Sequence, residues 1–324
     1  MPHNPSVVPS PGACLESPGI ERNQDVSVLV EKKQTLWLMS PTVLTLLLIT
    51  IFPLMYALNV SLSDYSLAAG KQVHQFNDFQ NFSKVLTDPE FWHSLWVTFK
   101  FAGLCLIFEL TIGLALAVVF SERGFRLEPL SMLMILPMAI APVIVGLVFR
   151  WFYSNDVGII GFLLRSIGIS PPAWSSSGVA ALFSLVIADI WEWTPYVFLI
   201  CMAGLKSIEP EIYEAAEIDG ARGWIKFKRI TLPLMKPTII LVLLLRAIPA
   251  LKEFDKVFII TDGGPGVATE VTSSYIFKQF LWFNNLGTAT AAALILLAVI
   301  TIVCQILFAY LRKHEEQIQG TGKW

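Results

Sequence analysis

Charge, histidine and cysteine are all scarce in this sequence of 324 residues, and each scarcity removes a class of function. Only 15% of the residues are charged and the formal net charge is −2. The basic excess that binds nucleic-acid phosphates is therefore missing, and no nucleic-acid partner is expected. The four histidines, His3, His74, His93 and His314, stand alone, without a His-x-x-x-His or Glu-x-x-His spacing that would put two metal ligands on one helical face. Four cysteines, at 14, 105, 201 and 304, are equally scattered, which argues against both a disulfide framework and a zinc site. No Gly-x-x-x-x-Gly-Lys-[Ser/Thr] segment is present to cradle nucleotide phosphates. What fills the chain instead is apolar bulk: 55% of residues are apolar and the mean hydropathy is +0.63, whereas soluble domains hold about 45–50% apolar and about 25% charged residues.

The apolar residues fall in six blocks, at roughly 36–61, 95–120, 130–152, 179–204, 237–260 and 287–311. Each is long enough to cross a core of ~30 Å as a helix at ~1.5 Å per residue, and too long for the ~9–11 residues of a barrel strand. An all-α polytopic membrane protein with six transmembrane helices is therefore expected. Pro53, Pro137, Pro142, Pro195 and Pro249 fall inside these blocks, each removing a backbone donor and favouring a kink. Fourteen Lys and Arg lie in the tails and in 121–128 and 205–236, against four in the alternate loops. The positive-inside rule then places both termini in the cytoplasm. Small residues of the last block, Gly287, Ala289, Ala291, Ala292 and Ala293, permit close helix packing.

Residues 1–34 carry five prolines and few large apolar side chains, the composition of a disordered cytoplasmic tail. The membrane domain is expected over 35–312, with a second short cytoplasmic tail at 313–324. The first block runs on without a small-residue cleavage site, so it reads as an uncleaved span rather than a secretory signal.

The loop 205–236 is too long to be a simple connection. Pro210 at a first-turn position and the acidic residues Glu209, Glu211, Glu214, Glu217 and Asp219 favour a helix N-terminus. Gly220 supplies a left-handed cap. A second short helix should follow, with Arg222, Lys226 and Arg229 on one face, Trp224 and Phe227 on another, and Pro233 as its stop. Amphipathic helices of this kind often lie in the lipid interface. The acidity of the first one opposes contact with an anionic leaflet and favours a protein partner.

Glu214-Ala215-Ala216, Asp219-Gly220-Ala221, Trp224, Phe227, Ile230 and Leu232-Pro233 resemble the E-A-A-x-x-D-G-A-x-x-W-x-x-F-x-x-I-x-L-P segment of permease subunits of binding-protein-dependent ABC importers. Thr261-x-Gly263-Gly264-Pro265-Gly266 is similar to one member of the permease pair in carbohydrate importers of the maltose-transporter class. The resemblance covers about 35–312 and implies the type I importer permease fold in the bacterial cytoplasmic (inner) membrane. It implies a coupling helix that docks on an ATP-binding subunit. Glu214 would make the charged contact, Ala215 and Ala216 the close-packing face and Gly220 the turn, within a segment that includes Asp219 and Ala221. Implied partners are a second homologous permease, two copies of the ATP-binding subunit, an extracytoplasmic solute-binding protein and a small-molecule solute. The chain would bind no cofactor itself and catalyse no reaction; ATP and Mg would be used by the partner ATPase.

Charged residues within spans are costly and mark functional candidates: Glu109, Asp189, Glu192, Arg246, Lys252, Glu253, Asp255 and Lys256. The last three named lie near a span end, where snorkelling offers a simpler account. By resemblance the solute wall comprises Trp191, Glu192, Trp193 and Tyr196 from the fourth span, near Asp189, with Pro249, Ala250, Lys252 and Glu253 from the fifth. Relatives commonly carry Asn and aromatic residues where this chain has Ala250, Lys252 and Glu253. Two readings stand side by side: structural pairing of Arg246 or Lys252 with Asp189 or Glu192, or a cationic contact with an acidic sugar or polyol phosphate. Outside the importer class, Asp189 and Glu192 at i, i+3 could serve an intramembrane enzyme as acid and base. A standalone secondary transporter would show an internal repeat, and none is evident.

Overall fold

A computed structural model describes residues 19–64, 76–122, 134–154, 157–172, 174 and 177–321. The chain divides into two compact units, Met1–Tyr56 and Ala57–Trp324. Helix α1 (Gly19–Ser61), whose last residues 57–61 belong to the second unit, begins immediately after Pro18 and carries Pro41 and Pro53 in its interior. Residues 19–34, read from composition as a disordered tail, are thus helical, because the prolines that oppose a helix end at Pro18. Residues 1–18 of that expected tail lie outside the described residues.

The second unit is built from α2 (Gln80–Thr87), α3 (Pro89–Glu122), α4 (Pro142–Phe152), α5 (Ile159–Ser166), α6 (Gly178–Lys206), α7 (Pro210–Ile218), α8 (Gly223–Leu234), α9 (Lys236–Leu251), α10 (Asp255–Ile260), α11 (Thr272–Leu281) and α12 (Leu286–Thr321). Among the described residues the one β pairing is an isolated antiparallel bridge, Ser63 with Phe76. Among the described residues four helical stretches are long and apolar enough to cross a membrane: Leu38–Ser61, Pro89–Ser121, Gly178–Lys206 and Leu286–Lys313. A fifth is reached if α8 and α9, bent by 63° at Met235, form one span.

The third and fifth apolar blocks are broken, which is where the expected set of six continuous spans departs from the structure. In the third, a helical stretch at 134–138 ends in a turn and α4 restarts with Pro142 at its first position after an extended Ala141. A residue before proline is driven out of the helical region. The 11 residues of α4 reach only about 16 Å, half of a bilayer core. In the fifth, α9 ends at Leu251 and α10 resumes at Asp255, with Lys252 to Phe254 off the helical path. Pro233 does not end α8. A π turn over Phe227–Thr231 precedes it, with the Leu232 N–H reaching the Phe227 carbonyl, and the helix continues through Leu232–Leu234.

Two apolar clusters hold the bundle at different depths. One gathers Leu114 and Ala117 of α3 with Val197, Phe198 and Cys201 of α6 and Val242 of α9. The other joins Phe101 and Cys105 of α3 to Leu185 and Val186 of α6 and Val257 of α10. Close approach needs Gly113, where an added Cβ would lie 2.8 Å from Val197 Cγ1, and Gly204, where it would lie 2.6 Å from Thr238. The small residues of α12 also pack within the chain: Ala289, Ala291 and Ala292 are buried, and a Cβ on Gly287 would meet Asn81 Nδ2 at 2.4 Å. Nearby, the Tyr275 hydroxyl donates to Asp88 Oδ2 at 2.6 Å, and burial together with that carboxylate pushes the phenol well above its ordinary range.

Candidate functional site

Between the two clusters lies a layer of charge. Glu109 sits one turn beyond Cys105 on α3, and Asp189 and Glu192 share a face of α6 at i, i+3. Arg246 of α9 pairs with Glu109, its Nη2 donating to Oε1 at 2.9 Å and its Nε lying within ion-pair distance of Oε2 at 2.8 Å, and Nη2 also donates to Asp189 Oδ2. Lys256, on the first turn of α10, places its Nζ 2.6 Å from Asp189 Oδ1, 2.6 Å from Glu192 Oε2 and 3.1 Å from Glu253 Oε2. Asp189 therefore bridges the two cations. Glu253 also accepts the Lys256 backbone N–H at 3.1 Å, tying the α9–α10 break to the network. All of these side chains except Glu253 are buried.

Of the two pairings expected for Arg246, the one with Asp189 is present. Lys252 is not in the network; it is exposed, and its backbone carbonyl accepts the Ser273 hydroxyl at 3.2 Å. Lys256, expected to snorkel from a span end, is instead fully buried, because three carboxylates on α6 and the α9–α10 break converge on its ammonium. Asp189 and Glu192, weighed as an acid/base pair, are both engaged by cations within the chain. Cys105 Sγ joins Glu109 and Asp189, with ligand atoms within 4.8 Å of one another. Both carboxylates already bond Arg246, and a guanidinium in that position repels a metal ion.

The remaining wall candidates separate. Trp193 lies over the Arg246 guanidinium at 4.8 Å and meets Tyr196 edge-on at 5.9 Å. Trp191, two residues earlier, points to the other side of α6 and packs on Phe149 of α4 at 5.6 Å. Ala250 is fully buried. Trp193, Tyr196, Pro249 and Lys252 keep accessible surface; Asp189 and Glu192 do not.

The second candidate surface is α7. Glu209 is extended ahead of Pro210, and after Ile218 the chain turns at Gly220, whose φ of 78 is left-handed. The Ala221 N–H closes the turn on the Ala216 carbonyl at 2.9 Å. Lys226 pairs with Glu217 at 3.0 Å and lies over the Tyr213 ring at 5.5 Å, so α8 braces α7. Glu211, Glu214, Ala215, Asp219 and Gly220 are exposed, whereas Ala216 is buried against the chain's own residues. The close-packing pair of alanines is thus split, since one of two adjacent helical positions faces inward. Ile218, four residues after Glu214 and 88% exposed, takes the outward apolar role that Ala216 does not. It had no mark in the sequence beyond being apolar at that helical spacing.

Residues 109–316 match the family model described as binding-protein-dependent transport system inner membrane component. The chain belongs to that family. The permease is 35% identical over 237 residues, 73% of its length and 79% of the relative's, to the trehalose/maltose transport system permease protein of Thermococcus litoralis. It is 32% identical over 243 residues, 74% of its length and 82% of the relative's, to the sn-glycerol-3-phosphate transport system permease protein of Brucella abortus. Its fold matches a chain in the crystal structure of a bacterial ABC transporter involved in import of the acidic polysaccharide alginate, with a TM-score of 0.73 and 23% identity, covering 89% of the permease and 99% of that chain. The matched segment contains both the charge layer and α7, so both belong to the permease's family region.

Proposed function

We propose that this permease forms half of the translocation pathway of an ATP-driven importer for a sugar or sugar derivative delivered by an extracytoplasmic binding protein. The observation that carries the reading is α7: an exposed acidic helix, braced by α8 and closed by the Gly220 turn, standing where the family resemblance expects a coupling helix. A braced helix transmits a push, whereas a free loop absorbs it. The termini and α7 are assigned to the cytoplasm on the distribution of Lys and Arg. A second permease would complete the pathway, and two ATP-binding subunits would bind and hydrolyse Mg-ATP. Nucleotide-driven closure of those subunits, passed on through α7, would open the pathway outward, and hydrolysis would return it inward.

The sugar assignment draws on the trehalose/maltose relative. Trp193 and Tyr196 offer the aromatic surface on which sugar C–H faces stack. An acidic solute is the second reading, favoured by one feature: Arg246 and Lys256 are engaged by carboxylates, whereas the exposed Lys252 has none within ion-pair distance among the described residues. The sn-glycerol-3-phosphate relative supports the same reading.

Uptake of labelled solutes into proteoliposomes holding the complete transporter, with ATP inside and binding protein outside, tests both. Uptake should require binding protein and ATP together; uptake driven by an ion gradient alone would sink the importer reading. With an anionic sugar or polyol phosphate as solute, Lys252→Ala should abolish uptake while assembly is retained. Unchanged kinetics would remove Lys252 from solute recognition.

A further inference from the structure

The charge layer and the aromatic wall meet at one side chain. Asp189, Trp193 and Tyr196 stand at i, i+4 and i+7 of α6 and form one stripe, which runs from a buried ion to two partly accessible rings. Arg246 of α9, only 1% exposed, is engaged by that stripe twice: Nη2 donates to Asp189, and the Trp193 ring lies 4.8 Å from Cζ. Glu109 of α3 meets the same guanidinium through Nη2 and Nε. Carboxylates engage a guanidinium along its edge, which leaves its flat face for an aromatic ring. The ring that takes this place is the one set edge-on to Tyr196, at 5.9 Å and 89°.

We infer that Arg246 is a positioning residue for the solute wall: clamped from α3 and α6, it holds the Trp193 ring against Tyr196 so that the pair presents a fixed aromatic surface to the solute. The role in solute handling rests on the sugar-importer reading above, whereas the hold on the ring does not.

The test uses a charge-balanced variant, because removal of Arg246 alone strands Glu109. Glu109→Gln with Arg246→Met takes one charge of each sign from the layer, and Asp189 keeps Lys256. Replacing a buried ion pair by neutral groups is often near neutral for stability, so the melting temperature should change little. The complete transporter is reconstituted with labelled maltose as probe, and maltose moved is counted per ATP hydrolysed, so that a change in turnover alone does not register. The double variant should move roughly tenfold less maltose per ATP, the scale of one cation–π contact. Trp193→Ala should cost at least as much, and combining it with the double variant should cost no more than Trp193→Ala alone, since Arg246 acts through the ring. Losses that multiply, or a double variant that transports as well as wild type, would overturn the inference.

A second readout needs no solute. A 5-fluorotryptophan placed at 193 alone by codon suppression should give one narrow fluorine resonance in the wild-type transporter and a split or broadened one in the double variant. A resonance that shifts with the lost charge yet stays single and narrow would show that the ring keeps its place without Arg246, and would also overturn the inference. If the double variant does not fold, Arg246→Lys keeps a cation for both carboxylates without the flat face, and its spectrum is read in the same way. Wild type that imports no maltose bears on the solute reading alone, and the fluorine spectrum still decides whether Arg246 holds the ring.

Discussion

Lys256→Met should destabilise the permease by about 3–5 kcal/mol, the cost of leaving a buried charge without its partner. Three carboxylates, Asp189, Glu192 and Glu253, lose their shared cation at once. Asp189 keeps its bond to Arg246, and Glu192, buried, loses the one ion pair it makes among the described residues. The loss falls on the helix break as well, because Glu253 joins the α9–α10 connection to the network through both the Lys256 ammonium and its backbone N–H. Thermal unfolding in detergent, followed by the monodisperse fraction after heating, measures the effect. Lys252→Met, four residues earlier and exposed, is the matched control and should leave the melting temperature nearly unchanged. Combining Lys256→Met with Glu192→Gln removes one of the stranded charges and should recover part of the loss. Equal melting temperatures for Lys256→Met and Lys252→Met would show that the ion pairs do not hold the bundle.

The spans were legible in the sequence wherever apolar character and helical continuity coincide, as over Pro89–Ser121 and Leu286–Lys313. They were not legible where the apolar run continues and the backbone does not. Pro142 restarts the third block inside an apolar run, whereas the break at Lys252 to Phe254 coincides with the charged stretch 252–256, which reads in the sequence as a span end and not as an interruption followed by α10. The members of the charge layer could be read in advance: Glu109, Asp189, Glu192 and Arg246 stand out as ions in apolar surroundings, with Glu253 and Lys256 near a span end. Their partners depend on which helices meet. Glu109 is 137 residues from Arg246, and Glu192 is 64 from Lys256. Position near a span end suggested that Lys256 would reach for water; the converging carboxylates of α6 hold it inside instead. In α7 the cap and turn followed from Pro210 and Gly220, but the face of Ala216 depended on helix phase, which a short motif does not fix.

The second large effect is expected on the outward face of α7. Glu214 and Ile218 lie one turn apart and are both exposed. Neither has a structural role within the chain comparable to the buried Ala216, so a substitution there should leave the permease folded. Glu214→Lys reverses the sign of the charge offered to a partner, and like charges facing across an interface cost several kcal/mol. Ile218→Asp replaces the apolar contact with a charge that docking would have to desolvate. Either change should reduce the recovery of a docked ATP-binding subunit by more than tenfold, whereas Ala216→Gly should lower the stability of the permease without the same selectivity.

The most direct measurement of the proposed function is therefore a pull-down of the tagged permease from its native membrane in mild detergent, wild type beside Glu214→Lys, with ATPase activity assayed in each eluate. The account predicts an ATP-binding subunit and ATPase activity with the wild type, and loss of both from the variant while the permease itself is recovered in equal amount. Wild-type permease that elutes alone, or a variant that keeps its ATPase, would contradict the assignment of α7 as the coupling element.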